Sequence, residues 1–178
     1  MAQPLSPQAL SEIDRQIVAA WAADCAERVL PLFEAEAPDD DRARDAIART
    51  RSFARGELTT AGEIRRRFVA GRAASAARSP AGAAAARAAA QAAGVAHMGA
   101  HALGAAAYSV KAVGLARPDD SDAGIEEIRW QLARLTPAAA EALRGLPLLG
   151  EDTAGPLGPG LLATGTLGDA IRRIQAGL

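Results

Sequence analysis

Between Arg87 and Lys111 the chain runs from Ala88 to Val110 without one Asp, Glu, Lys or Arg, and most residues of that run are Ala or Gly. A charge-free stretch of this length either lies in lipid or is enclosed by protein on most of its sides. Insertion into lipid is driven by Leu, Ile, Phe and Val, and this run instead has small side chains with Gln91, His97 and His101 among them. No membrane span is expected. Alanine and glycine at helix contacts let helix axes approach closely, so residues 80–116 are expected as central helices touched from several directions. They read as two helices broken near Gly94, with one long helix as the other reading.

The rest of the composition agrees with helix. Ala accounts for 47 of the 178 residues, Asn is absent, and 19 of the 20 basic residues are Arg, which favours helix over strands and turns. With 49% hydrophobic and 23% charged residues, the chain has the balance of one globular domain rather than of a solvated disordered segment. Cys25 is the single cysteine, so neither an intrachain disulfide nor a cysteine-based zinc site can form, and a cytoplasmic location is expected. Residues Met1–Leu10 lack the basic cluster and apolar core of a secretory signal.

Helix starts are marked repeatedly. Ser6-Pro7, Ser79-Pro80 and Thr136-Pro137 each set a hydroxyl cap before a proline at the first helical position. Thr60 with Glu63 has capping-box spacing, and Thr166 with Asp169 is a weaker version. These predict starts near 7, 61, 80, 137 and 167, and the acids after Pro38 and Pro118 open two more helices. Leu10, Ile13, Ile17, Trp21, Cys25, Val29 and Leu32 form one apolar arc at helical spacing. Pro31 should kink or end that helix. Asp24 with Arg28, and Asp45 with Arg49 on the next helix, are spaced as i, i+4 pairs. Trp21, Phe33, Phe53, Phe68 and Trp130 are the large residues expected to fill volume around the alanines. The fold expected is all-α: a single-domain multi-helix bundle, or a helical-repeat-like array, of about seven to eight helices. Residues 1–144 read as the helical domain, and 145–178 as a Gly/Pro-rich segment and C-terminal helix packed on it or extending from it.

Charge is segregated along the chain. Residues 1–57 hold 7 basic and 11 acidic side chains, 58–117 hold 8 and 1, and 118–178 hold 5 and 9. Either the basic centre is neutralised by acidic neighbours inside the fold, or distinct acidic and basic surfaces face a charged partner. The arginines from Arg65 to Arg87 lack interleaved aromatics beyond Phe68, and the chain is slightly acidic overall, so nucleic-acid binding is not expected.

One polar constellation stands out. On a helix after Gly94, the residues His97, His101, Gly104, Tyr108 and Lys111 fall within about 80 degrees of arc. Two histidines at i, i+4 can offer ring nitrogens to one divalent metal ion. Met98 stands where the zinc-protease motif has its glutamate, so that chemistry is incomplete, and a third ligand would come from Asp24, Glu27, Asp39 or Asp41. The competing reading is histidines that satisfy carboxylates or carbonyls between helices. Gly94, Gly99 and Gly104 follow no strand and read as packing glycines rather than a phosphate loop. Cys25 lies in the apolar arc of its helix and reads as a small buried hydrophobe.

Three segments, Trp21–Glu34, Pro38–Ile47 and Ala96–Tyr108, resemble the bacterial all-helical immunity proteins of the Imm-five-like family. The resemblance covers roughly residues 15 to 135. Where that family carries Arg-Pro-Arg, this chain has Arg42-Ala43-Arg44, and the segment after Gly145 looks outside the shared region. The resemblance implies a non-catalytic protein that binds and neutralises a toxin, and it transfers no catalytic residues. Asp39, Asp40, Asp41, Arg42 and Arg44 are the expected partner-binding residues; His97, His101, Tyr108 and Lys111 form the polar face. The alternative, from a different class, is a metal-binding protein or metal-dependent enzyme using His97 and His101.

Overall fold

A computed structural model describes residues 6–66 and 68–178. They fold as α1 (Glu12–Glu34), α2 (Arg42–Ala54), α3 (Thr60–Arg66), α4 (Val69–Ala73), α5 (Pro80–Gly94), α6 (His101–Ala116), α7 (Ala123–Ala133), α8 (Pro137–Arg144) and α9 (Gly165–Gly177), with short 3-10 turns at Ala74–Ala76 and Leu161–Ala163. No strand occurs among the described residues, and no helix among them is long and apolar enough to cross a membrane. The protein is all-α.

The charge-free run is the antiparallel pair α5 and α6, broken after Gly94 as one of the two readings had it. Gln91 of α5 meets His101 and Gly104 of α6. Helix α1 lies across both and runs parallel to α6: the Ser109 hydroxyl donates to the Cys25 carbonyl at 2.9 Å, and further along Val29 and Leu32 face Val113 and Ala116. Helices α2 and α4 cover α5, α7 and α9 cover α6, and α8 packs on α1. More than half of the buried hydrophobic cluster among the described residues is alanine, so close backbone approach replaces side-chain volume as the main way of excluding water. Trp21, Phe33 and Phe53 supply the expected bulk, and Cys25 is fully buried, which pushes its thiol well above the usual range.

Several local expectations give way to tertiary contacts. Ser6-Pro7 closes a turn rather than starting a helix, with Ala9 N–H donating to Ser6 O at 2.8 Å. The Gln8 and Ala9 carbonyls accept from Ala100 and Gly99 at 3.0 Å each, and Leu10 sits at φ 61. A residue in the left-handed region cannot continue a helix, so α1 starts after Ser11, whose hydroxyl accepts from Asp14 N–H at 3.1 Å. Of the first turn of the apolar arc, Leu10 packs against the core while Ile13 stands outside it, 70% exposed.

Pro31 does not end α1, which continues to Glu34. A proline one turn from the C-terminus removes a single backbone bond, and beyond it Ala35 N–H still donates to Pro31 O at 3.0 Å. Ser79 and Thr136 cap α5 and α8 as expected. Thr59 takes the capping role expected of Thr60, its hydroxyl accepting from Gly62 N–H at 3.3 Å, and Glu63 pairs with Arg49 rather than turning back to the cap. Helix α9 begins at Gly165 without a side-chain cap. Phe68 stands 63% exposed between α3 and α4 rather than filling the core.

The i, i+4 ion pairs are also replaced. Asp24 pairs with Arg51 at 2.9 Å, Arg28 with Glu127 at 2.7 Å, and Asp45 with Arg66 at 3.3 Å. In each case a neighbouring helix offers a partner, which leaves the same-helix pair unused. Of the central arginines, Arg67 and the side chain of Arg65 lie outside the described residues.

Candidate functional site

The two groups of residues singled out in the sequence lie at opposite ends of the bundle. At one end, residues 95–100 turn the chain from α5 into α6. His97 belongs to this turn and is exposed, and His101 is the first residue of α6. The continuous helical face expected from His97 to Lys111 therefore begins only at His101. Gln91 Oε1 lies 2.8 Å from His101 Nδ1; with the amide in this orientation, Nδ1 carries the hydrogen and Nε2 keeps its lone pair. Gly94 makes this possible, since a Cβ there would fall 2.9 Å from His101 Cγ. A Cβ on Gly104 would likewise collide with the Gln91 amide. These glycines serve close packing.

His101 and His97 divide two open cavities. One, of about 370 Å³, is lined by Gln91, Met98 and Tyr108 together with Pro156, Leu161 and Leu162 of the C-terminal segment. The other, of about 320 Å³, extends toward Phe68 and Ala90. Burial of the Tyr108 ring raises its phenol above the ordinary range. Lys111 is half-buried farther along α6.

No carboxylate lines either cavity, and no group of three His, Cys, Asp or Glu able to hold a metal occurs among the described residues. The carboxylates expected to complete a metal set are elsewhere. Asp24 and Glu27 both engage Arg51, while Asp39 and Asp41 lie at the far end of the 16-residue α6, roughly 24 Å away at the helical rise.

Burial, with a smaller contribution from the His97 charge, lowers His101 to about 4 from its ordinary 6.5. A histidine depressed in the folded state is protonated first in the unfolded chain, so stability falls as pH drops from about 6.5 toward 4. This single group contributes a loss of about 3 kcal/mol across that window. Denaturant unfolding at pH 7 and pH 4.5 should therefore show a smaller acid loss for His101→Gln than for the unaltered chain.

At the other end, α1 and α6 finish side by side, neither with a basic residue in its last turn, and Arg117 stands at the C-cap of α6. After α1, Glu36 caps α5: it accepts from Arg78 and Ser79 N–H at 2.6 and 2.9 Å and from the Ser79 hydroxyl. The hydroxyl bond is the main cause that holds Glu36 below the usual carboxylate range. Asp40 pairs with Arg42 at 2.6 Å and Arg44 with Glu34 at 2.6 Å. Arg117, after α6, pairs with Asp120 and Glu126. Asp39, Asp41, Asp119 and Asp122 are exposed and hold no ion pair among the described residues. The turns 38–41 and 118–122 thus place their free carboxylates at one end of the bundle.

Between the ends of α1, α6 and α7 lies an open groove of about 390 Å³, lined by Val29, Leu32, Val113 and Ala116 and bordered by Arg28, Arg117, Glu126 and Glu127. Arg28 donates to Glu127 at 2.7 Å and lies 4.3 Å from the Trp130 ring centroid. Gln131, fully buried, bonds the Ala106 carbonyl at 3.1 Å, and Trp21 Nε1 donates to the Gln131 carbonyl at 2.8 Å. Sequence reasoning missed this cluster. Its signal was Glu127 and Gln131 at i, i+4 on the side of α7 that also carries buried Ala123, polar residues where an apolar stripe was being followed.

No curated protein and no solved structure matches the chain significantly. A family model does, over residues 8–138, a span that contains the histidine turn, both acidic turns and the groove but stops short of the segment whose Pro156, Leu161 and Leu162 close one cavity. The chain belongs to the family described as Imm-5 like putative immunity protein.

Proposed function

We propose that this protein binds and neutralises a toxin domain by occupying its surface, without turning over a substrate. Membership of the immunity family is the observation that carries the reading. The charge distribution supports it: four exposed aspartates in two turns at one end of the bundle, beside two helix C-termini, form a negative surface suited to a basic partner such as a nuclease-like domain. Asp40, Arg42 and Arg44 shape the turn through their ion pairs, whereas Asp39 and Asp41 are the carboxylates left to face a partner.

Such a surface acts on encounter rate more than on residence time. Replacing Asp39, Asp41, Asp119 and Asp122 with Asn should slow association about tenfold at low salt and flatten its salt dependence, with melting temperature unchanged. Stopped-flow association with a bacterial nuclease-toxin domain that the protein binds checks the expectation. Co-expression with that domain should restore growth; failure of rescue, together with metal-dependent turnover lost in a His97→Ala, His101→Ala variant, would favour the enzyme reading instead.

A further inference from the structure

We infer that the groove between the ends of α1 and α6 is the anchor pocket for the toxin, taking one apolar side chain that stands among basic residues on the partner's surface. The inference rests on the toxin-binding reading and adds where the contact is centred and what chemistry it requires.

The groove is floored by Val29, Leu32 and Val113 and opens at Ala116, which is exposed at the last position of α6. Its side wall is already ordered, because the Arg28 guanidinium is held between the nearly buried Glu127 carboxylate and the Trp130 ring. A wall fixed before binding loses little side-chain freedom when a partner docks, and binding energy concentrates where such preordered apolar surface is covered.

Charge selects the occupant. The rim cations Arg28 and Arg117 are each paired with carboxylates, and the four exposed aspartates of the two acidic turns at this end are not, so the complementary surface is basic around its anchor. The cavities beside His97 and His101 have no carboxylate in their linings and offer such a partner no comparable attraction.

The test uses the full chain and a panel of purified, catalytically inactivated bacterial nuclease-toxin domains. Ala116→Arg places a long cation across the mouth of the groove at an exposed position, and Leu161→Arg makes the same change at the opposite end, where Leu161 is 68% exposed. Calorimetry should show Ala116→Arg binding at least about 100-fold more weakly and Leu161→Arg within about twofold of the unaltered chain, as expected for a central anchor against a remote site. Thermal melting of both variants verifies the fold. Amide exchange of the unaltered complex should show new protection at 113–122. If the unaltered chain binds and both variants bind equally well, or protection is confined to 95–101 and 155–162, the pocket assignment is wrong while toxin binding stands. If the unaltered chain binds no such domain, both readings fall.

Discussion

Phe33→Ala should lower the free energy of unfolding by about 3–5 kcal/mol, read as a reduced denaturant midpoint at unchanged slope. Phe33 is completely buried near the end of α1, in a cluster that is mostly alanine. In a core of Leu and Ile, neighbouring side chains can rotate toward a void and recover part of the lost contact. Methyl groups fixed on helical backbones cannot reach into it, and the helices themselves would have to shift. The cavity should therefore stay open and place the loss in the upper part of that range. A loss near 1 kcal/mol would mean that the alanine helices slide readily, contrary to a core built on close backbone approach.

Arg28→Ala should cost about 3 kcal/mol, because it leaves the Glu127 carboxylate, 2% exposed, without its cation. Among the described residues, the remaining hydrogen bond to that carboxylate comes from Gln131 Nε2 at 3.3 Å, on the same helix. The cost arises from the stranded charge rather than from the lost bond, so removing both partners should be far milder than removing one. The double variant Arg28→Ala, Glu127→Leu should recover most of the stability. A double-mutant cycle by chemical denaturation reads this directly; equal losses in the single and double variants would show that Arg28 acts through its packing on Trp130 instead.

The architecture was legible where one physical effect dominated. The alanine run, the break after Gly94 and the Ser79-Pro80 and Thr136-Pro137 caps depend on neighbours a few residues away, and the structure has all of them. Features that depend on remote partners were not legible. Ser6 carries the same capping signal as Ser79, but Gln8 is drawn away from any helix by Asp152, Ala154 and Leu157, which lie more than 140 residues distant in sequence. Asp24 has Arg28 at ideal spacing and still bonds to Arg51.

The same distinction governs the sites. Helical periodicity placed His101, Tyr108 and Lys111 on one helix, and it could not show that His97 would fall in the turn before it. Nor could it show that two acidic turns about 80 residues apart would meet at one end, because that follows from α1 and α6 running parallel. The groove between them is a property of three helix ends, and no single stretch of sequence contains it.

Stoichiometric occupation of the toxin is the proposed mode of action. Its most direct test is a titration of a purified bacterial toxin domain that the protein binds, with residual toxin activity measured against added protein. Activity should fall linearly to an endpoint at one equivalent and return in full when the complex is dissociated and the toxin recovered. Toxin that is inactivated by far less than one equivalent, and that stays inactive after the protein is removed, would contradict the claim and show a catalytic modification in its place.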